Sequence, residues 1–308
     1  MELIERVDIS LVKQLNNLSF INFEINYMKF SDDIEKVKKK DLKSLYEKIK
    51  SFCQSNIKSN GITKRLYQYS LGTIKEKGGR LYCGSSIQGM PKFIRGFLMK
   101  NTTDIDAKNC HPKILRYLCR IHNIDCQKLD FYVENREVII KMGLATKDDY
   151  LKSTNDSKIN KNIQDSFFKE FDKEMKQIQK NICDLDQYSD IVISVPNEKK
   201  EYNWNGSALN RILCMYENNI LQVVIKTLNE LEIEIAVLMF DGLMIYGNYY
   251  KDLILLEKIT NTVEEKFKGL NMEWTYKNHC DKLKIENLKK ESDDEIDINF
   301  FQISLRKL

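Results

Sequence analysis

Long stretches of this chain carry apolar residues with the period of a helix. The clearest stretch is 206–228, where apolar side chains recur every three or four residues after Ser207, which stands at the position of an N-terminal cap. Its apolar positions are Ile212, Leu213, Tyr216, Ile220, Leu221, Val224 and Leu228. A strongly charged helix is predicted over 165–182, and residues 1–75 also favour helices. Pro112 fits the first turn of a further helix.

One apolar stretch favours a β-hairpin instead. The run IEIAVLMF over 233–240 is rich in β-branched residues, and LMIY over 243–246 can return antiparallel to it. Asp241 and Gly242 between the two runs are predicted to form the turn.

The remaining segments complete a mixed pattern. A helix is predicted over 252–268 and a strand near 272–276, whereas residues 76–106 are expected to form loop with a short strand. Residues 188–205 are expected to form a loop. Helices that pack against an antiparallel sheet make the predicted fold class α+β.

Two aspartates occupy positions where a carboxylate can serve chemistry. Asp106 lies where a strand passes into a helix, and Asp241 lies at the tip of the predicted hairpin. Two facing carboxylates can hold two divalent ions, Mg²⁺ or Mn²⁺, for phosphoryl transfer, since hard cations take oxygen ligands. Asp104 points to the same face of the strand as Asp106 and could share a metal, although both could equally face solvent. This arrangement predicts a nucleotidyl transferase.

Composition limits the classes of protein. The 308 residues are 42% hydrophobic, which is enough for a sizeable core in one large or two medium domains. Lys and Arg outnumber Asp and Glu by only 49 to 45, but the segment from Lys64 to Lys100 has eight basic residues and one acidic residue, Glu76. This segment predicts a patch for a polyanion, with an ordinary solvated surface as the alternative.

Cysteine usage and hydropathy bear on the compartment. The eight cysteines include no C-x-x-C pair, and no segment of signal-peptide type precedes them. No run approaches the ~18 apolar residues of a membrane helix, so no membrane partner is expected. Reduced thiols in a cytoplasmic compartment are predicted.

Six short motifs occur in an order that is typical of one family. They are Gly79-Arg80-Leu81, Ile87-Gln88-Gly89-Met90-Pro91, Ile94-Arg95-Gly96-Phe97, Asp106-Ala107-Lys108-Asn109-Cys110-His111, the helix from Asn210-Arg211 to Leu228, and Leu238-Met239-Phe240-Asp241-Gly242-Leu243. Together they resemble the family A DNA polymerases, especially the compact transposon and viral branch called TV-Pol. The fourth motif stands where that family's motif A begins, and the last stands where its motif C lies. The resemblance covers roughly residues 78–280.

The resemblance implies a polymerase palm, an antiparallel sheet with helices, that carries reduced, helical fingers and thumb. The implied regions are a helical, thumb-like N-terminal region (1–78), a palm segment with motif A (79–118), a helical, fingers-like region (119–205), a palm segment with motif C (206–288), and an acidic linker or disordered tail (289–308). The stretch ESDDEID within that tail has five acidic residues and no basic one, which is typical of a linker.

The resemblance also implies a function. The chain would be a template-dependent DNA polymerase of a viral or mobile-element replication system that uses primer-template DNA, deoxynucleoside triphosphates and two Mg²⁺ or Mn²⁺ ions. Asp106 and Asp241 take the places of the catalytic, metal-binding aspartates. Related viral and transposon proteins often join this domain to a helicase, so a helicase module is a further expected partner, and priming is a further expected activity.

Other residues receive roles from the same resemblance. The candidate nucleotide-binding residues are Lys147, His111 and Tyr150, and the candidate DNA-binding residues are Arg80, Gln88, Arg95 and Arg211. A lysine suits the triphosphate as a flexible point charge, and an arginine suits phosphate contacts through its fork geometry. Gln88 would read minor-groove acceptors, which are similar for every correct base pair.

Three departures from the family pattern matter. His111 stands where most members have a glutamate that crowds the ribose 2′ position, which predicts weaker exclusion of ribonucleotides, with a helix-capping or core histidine as the alternative. Gly242 replaces a motif C glutamate, so Asp104 is the expected substitute. Lys147 lacks the family's arginine before it and aromatic residue after it, because Gly143 and Leu151 stand there.

Two other functions stay open. Archaeo-eukaryotic-type primases also use an Asp-x-Asp and a later aspartate, but they usually carry a Ser-x-His between them, and no Ser-x-His occurs in this chain. A non-catalytic subunit that binds primer-template or single-stranded DNA would need only the basic segment 64–100. A metal-dependent primer-extension assay separates that subunit from the two enzymes.

Overall fold

A computed structural model describes residues 1–30, 39–69, 79–144, 146–159, 163, 165–197, 201–280 and 283. The helices, numbered in chain order, are α1 Ile9–Asn17, α2 Phe20–Phe30, α3 Lys39–Lys58, α4 Lys92–Leu98, α5 Cys110–Ile121, α6 Gln127–Lys141, α7 Lys147–Asn155, α8 Ser166–Cys183, α9 Ser189–Ile193, α10 Trp204–Glu230 and α11 Leu253–Lys266. The strands are β1 Glu2–Arg6, β2 Ile62–Leu66, β3 Gln68–Tyr69, β4 Leu81–Tyr82, β5 Thr102–Ala107, β6 Ile235–Leu238, β7 Gly242–Tyr246 and β8 Trp274–Lys277. Single 3₁₀ turns occur at Ile87–Gly89 and Asp186–Tyr188.

The central element is a four-stranded antiparallel sheet in the order β6-β7-β5-β8. β5 pairs with β7 on one side and with β8 on the other, so Asp106 lies opposite Gly242 on one neighbour and Thr275 on the other. Two further antiparallel ribbons, β1 with β2 and β3 with β4, lie outside this sheet. The predicted α+β class, with helices and an antiparallel sheet, is confirmed.

Both faces of the sheet are covered by helices. Leu243 and Ile245 of β7 are buried in a core formed with α5, α8 and α10, whereas Met244 between them is buried in a second core formed with α1 to α4. Successive residues of a strand point to opposite faces, so a strand that is covered on both faces is apolar throughout. This two-sided burial explains why the hairpin appears in the sequence as a continuous apolar run.

Several local predictions differ from the structure. The segments 76–106 and 188–205, predicted to lack helices, contain α4 and α9, which are too short for a helical period to stand out. Helix α10 begins at Trp204, so Ser207 lies inside its first turn and the prediction that it caps the helix is wrong. The amino-terminal region contains the ribbon β1–β2 as well as its three helices.

Two predicted features lie outside the described residues. They are the acidic tail at 289–308 and residues 70–78 of the basic segment. No described helix is both long and apolar enough to cross a membrane. All eight cysteines are free thiols.

Candidate active site

The candidate site lies where the end of β5 meets the tip of the β6–β7 hairpin. Asp106 is the penultimate residue of β5, and the N–H of Ala107 beside it donates to the Asp241 carbonyl oxygen at 3.0 Å. Both aspartates line one pocket of about 520 Å³. The two carboxylates that the sequence singles out, 135 positions apart in the numbering from 106 to 241, therefore face one space.

The tip of the hairpin is a two-residue turn. Met239 donates its N–H to the Gly242 carbonyl at 2.8 Å, so Phe240 and Asp241 form the turn, one residue earlier than predicted. Phe240 has a φ of 67°, in the left-handed region that non-glycine residues rarely adopt. The turn places Asp241 at the very end of the hairpin.

Gly242 is the first residue of β7 and does not belong to the turn. A Cβ at this residue would lie 2.2 Å from the Ile105 carbonyl oxygen and 3.0 Å from the Asp106 Cα. A glutamate at this position, as in the family A polymerases that this motif resembles, would therefore require β5 to move. Asp104 is partly buried on the same face of β5 as Asp106 and is a further carboxylate close to it.

The carboxylates are poorly solvated and repel one another. Burial, and next the neighbouring Asp241, raise the pKa of Asp106 to about 6, although Lys277 acts against them with its Nζ 2.5 Å from Oδ1. Burial raises the pKa of Asp241 as well, and the Glu217 carboxylate adds to that effect. Burial also raises the pKa of Asp104, against the opposing charge of Lys277. Burial and mutual repulsion make the charged forms of these carboxylates costly, and a bound cation would relieve that cost.

The donor atoms suit a hard divalent cation without enclosing it. Within the described ranges, no three His, Cys, Asp or Glu side chains are gathered as metal ligands. Mg²⁺ is usually held by one or two protein carboxylates and completes its shell with water and substrate phosphates. Asp106 and Asp241 supply such carboxylates, and the ammonium of Lys277 already rests against one of them. These residues therefore fit Mg²⁺ or Mn²⁺ ions that arrive with a phosphate-bearing substrate.

An ionic cluster forms a second wall of the pocket. Glu217, buried in the middle of α10, accepts hydrogen bonds from Arg80 Nε at 2.6 Å and Nη2 at 2.8 Å, and it bonds His111 Nε2 at 2.7 Å. Burial alone would raise the pKa of Glu217, but His111 and Arg80 hold it below its usual value. Burial alone would lower the pKa of His111, but its hydrogen bonds to Cys214 and Glu217 raise it to about 9. The imidazole is therefore charged at neutral pH and held in place.

Helices α6 and α7 line the far side of the pocket. Tyr150 is buried and stacks on Tyr132 with ring centroids 4.9 Å apart and planes 6° apart. Arg136 lines the pocket, where it donates to Asn109 Oδ1 and, at 3.3 Å, to the Tyr132 hydroxyl. Lys147 begins α7, one turn before Tyr150, and only its backbone is described.

The candidate DNA contacts have different surroundings. Arg80 lines the pocket. Gln88 is buried and its amide bonds three backbone groups, so this conformation does not support the predicted minor-groove contact. Arg95 donates to the Met90 carbonyl at 3.0 Å. Arg211 donates to the carbonyl and the hydroxyl of Ser194 and is not among the residues that line the pocket.

Glu217, Arg136 and Lys277 line the pocket, but the sequence analysis gave them no role. Glu217 and Arg136 belong to helices whose packing the sequence does not reveal, and no local signal distinguishes Arg136 from an exposed helix residue. Lys277 could have been found, because it continues the predicted strand 272–276 and shares the face of Thr275, which also lines the pocket.

The fold is that of a polymerase-like α+β domain. The chain is similar to the POL domain of Pol1 from M. smegmatis, solved in complex with DNA primer-template and dNTP, with a TM-score of 0.52. The match covers 90% of this chain and 67% of that chain at 13% sequence identity. At this identity the likeness concerns the fold alone.

A curated relative is similar in sequence. It is the "Putative helicase V13" of Sputnik virophage, 25% identical over 280 residues that cover 83% of this chain. The chain spans 35% of the length of that relative. No protein-family model matches the chain.

Proposed function

We propose that this chain is a DNA-directed DNA polymerase, a nucleotidyltransferase of the family A, TV-Pol kind. The observation that carries the proposal is the meeting of Asp106 and Asp241 in one pocket, at the end of the central antiparallel sheet of a polymerase-like fold. The motifs that surround both aspartates support the family, and the relative from a virophage supports a viral replication system.

Each wall of the pocket has a part in the proposed reaction. Divalent cations bound at Asp106 and Asp241 would supply the charge that activates the primer 3′-hydroxyl and stabilises the transferring phosphoryl group. Asp106 and Asp241 would hold those cations, and Asp104 would add negative charge near Asp106. Before the cations bind, Lys277 balances part of the negative charge.

The far wall suits the incoming nucleotide. Arg136 offers a guanidinium to the triphosphate, and Lys147 at the start of α7 is proposed to assist it. Tyr150 is buried against Tyr132, so it would contact the nucleobase through the part of the ring that faces the pocket. In this arrangement the triphosphate lies between the carboxylates and the cationic helices.

His111 is proposed to shape the sugar site. Its ring is fixed by Glu217, which brings a carboxylate close to the place where most family members have one. We propose that, with an imidazole in place of the glutamate, the protein excludes ribonucleotides less strictly. It could then also start new chains.

The wider setting is also proposed. Primer-template DNA and deoxynucleoside triphosphates are the substrates, and a helicase module is the partner, as the relative's name suggests for the longer protein. The thumb-like, fingers-like and palm segments with their boundaries belong to the same proposal, as does a cytoplasmic site of action. The likeness in fold favours a polymerase over an archaeo-eukaryotic-type primase.

The test is primer extension by Asp106→Asn and Asp241→Asn variants. Each should reduce metal-dependent incorporation to background while the fold and primer-template binding persist, because an amide is less costly to bury than a carboxylate. Asp184→Asn, exposed at the end of α8, is the matched control and should extend normally. Substantial extension by either pocket variant at ordinary metal concentration would contradict the proposal, and DNA binding without any extension by the wild type would favour a non-catalytic subunit.

A further inference from the structure

A lysine of β8 contacts one of the carboxylates that are proposed to hold divalent cations. The Nζ of Lys277 lies 2.5 Å from Oδ1 of Asp106. The side chain of Asp106 is only 13% exposed, whereas that of Lys277 is 49% exposed. The ammonium of a largely exposed lysine is therefore held against a poorly solvated carboxylate.

The sheet fixes the backbone of this lysine beside the carboxylates. In the register between β5 and β8, Lys277 lies opposite Asp104 and Thr275 lies opposite Asp106. The side chains of alternate residues point to the same face, so Lys277 shares the face of both aspartates. The Lys277 carbonyl also accepts a hydrogen bond from the Tyr250 hydroxyl at 3.3 Å. The backbone is therefore fixed, while the four-carbon side chain can still move.

One ammonium acts on three carboxylates. Burial raises the pKa of Asp106, of Asp104 and of Asp241, and the charge of Lys277 acts against burial at each of them. Lys277 therefore stabilises the ionised forms of the whole group. A bound divalent cation would stabilise the same ionised forms.

Lys277 and a divalent cation would need the same oxygen. Two positive charges on one carboxylate oxygen repel each other strongly where water screens them poorly, so Lys277 must leave Oδ1 when Asp106 binds a divalent cation. A triphosphate in this pocket would offer the ammonium new partners, because a flexible point charge suits phosphate oxygens. The nucleotide would therefore lower the cost of moving Lys277.

We propose that Lys277 is an internal competitor for the divalent cations, which makes the site bind them weakly alone and tightly together with the incoming nucleotide. This inference rests on the proposed polymerase function and concerns the regulation of the same site. By linkage, the nucleotide raises the affinity for the cation by the same factor as the cation raises the affinity for the nucleotide.

The experiment measures Mn²⁺ binding by electron paramagnetic resonance, in which the signal of free Mn²⁺ disappears on binding. The full chain binds a primer-template whose primer lacks its 3′-hydroxyl, with and without the complementary deoxynucleoside triphosphate. Mn²⁺ held by the nucleotide alone is measured without protein and subtracted. The pH is 8, well above the pKa of Asp106, so protons compete little with the metal.

The variants of Lys277 change its charge separately from its hydrogen bond. Lys277→Gln keeps a hydrogen-bond donor but loses the charge, and without nucleotide it should bind Mn²⁺ about ten- to hundredfold more tightly than wild type, comparable to the effect of one neighbouring charge on a carboxylate. The further gain from the nucleotide should shrink correspondingly. Lys277→Arg keeps the charge and should behave as wild type.

A second lysine of the pocket supplies the matched control. Lys108 also lines the pocket, but its Nζ pairs with the exposed Glu273 at 3.5 Å. Lys108→Gln should therefore leave Mn²⁺ binding nearly unchanged. Unfolding midpoints establish that each variant is folded, and structural damage alone would weaken metal binding rather than tighten it.

Three outcomes would overturn the inference. The first is unchanged or weaker Mn²⁺ binding by Lys277→Gln while the wild type extends primers, which leaves the polymerase proposal intact. The second is equal tightening in Lys108→Gln, which would assign the effect to the general charge of the pocket. The third is equal tightening in Lys277→Arg, which would show that the charge is not the cause. A wild type that neither binds Mn²⁺ with nucleotide nor extends any primer would instead contradict the proposed function itself.

Discussion

Among single residues, His111 is the one whose interpretation the structure alters most. The sequence marks it as a substitute for a glutamate, but the structure adds that Glu217 of α10 bonds its Nε2. Burial alone would lower the pKa of His111, and the bonds to Cys214 and Glu217 outweigh burial and raise it to about 9. The charged imidazole and the carboxylate together close one wall of the pocket.

This pair predicts a pH dependence of stability. The native pKa of His111, about 9, lies above its ordinary value of 6.5, so the native state binds more protons than the unfolded state between these values. The stabilisation is complete below about pH 6.5 and is lost as the pH rises through about 9. The difference in unfolding free energy between wild type and His111→Gln should therefore shrink by about 1–3 kcal/mol over that window.

Denaturant unfolding between pH 6 and 10 measures this difference. His122→Gln, a histidine outside the cluster, is the matched control. If the difference in unfolding free energy between wild type and His111→Gln stayed constant across this pH range, the pKa of His111 would not be raised in the native state.

Among the elements, the hairpin and α10 are the parts that the sequence predicts well. Both have long, regular apolar patterns, and β6, β7 and α10 lie within a few residues of their predicted positions. The turn lies one residue earlier than predicted, because Gly242 belongs to β7. A glycine is needed there because β7 approaches β5 too closely for a Cβ, and no local sequence pattern reveals that approach. The sequence singled out the two aspartates because each lies at or near the end of a strand, within a recognisable motif.

The helices α6 and α7 could not be placed from the sequence in the same way. Their faces toward the pocket depend on tertiary packing, of α6 against α5 and α8 and of α7 against α8 and α10. The contact of Arg136 with Asn109 joins residues that no shared motif connects. Motif spacing therefore selected Lys147, whereas the structure adds Arg136 as a cation on the side of the pocket formed by α6 and α7.

Arg136→Ala should impair use of the incoming nucleotide. Loss of a charged hydrogen bond to the triphosphate is expected to lower kcat/KM for the nucleotide about ten- to hundredfold, with primer-template affinity nearly unchanged. Lys147→Ala should act in the same direction if both cations contact the triphosphate. Single-turnover incorporation at varied nucleotide concentration measures the effect.

Lys141→Ala, in the last turn of the same helix, is the control and should leave the kinetics unchanged. Weakened DNA binding by Arg136→Ala with unaltered nucleotide kinetics would place this arginine on the nucleic acid instead.

In the molecule as a whole, a buried ion pair connects the amino-terminal ribbon to the rest of the fold. Glu5 of β1 accepts from Arg65 Nε of β2 at 2.9 Å, and its second oxygen accepts from the Ile87 N–H at 2.9 Å. Both charged side chains are almost fully buried. The contact with Ile87 joins the ribbon to the 3₁₀ turn that carries Gln88.

Glu5→Gln should destabilise the whole fold. It leaves the Arg65 guanidinium buried without a counter-charge, which costs about 3–5 kcal/mol. Glu2→Gln breaks the pair with Lys64 on the same ribbon, but both of those side chains are more than half exposed, so the cost should stay below about 1 kcal/mol. Denaturant midpoints of the two variants measure the contrast, and equal midpoints would mean that the ribbon contributes little to global stability.

The close approach of β5 to Gly242 also constrains the order in which substitutions in the segment around Asp241 can occur during evolution. Every amino acid reached from a glycine codon by one nucleotide change has a Cβ, and that atom would meet the Ile105 carbonyl 2.2 Å away. A lineage could acquire a larger residue at this position only after an earlier change had moved β5 away from β7. Such a dependence of one mutation on another is epistasis, here imposed by a single backbone oxygen. New carboxylates in this site are therefore more accessible to evolution on β5, where Asp104 already stands, than on the hairpin.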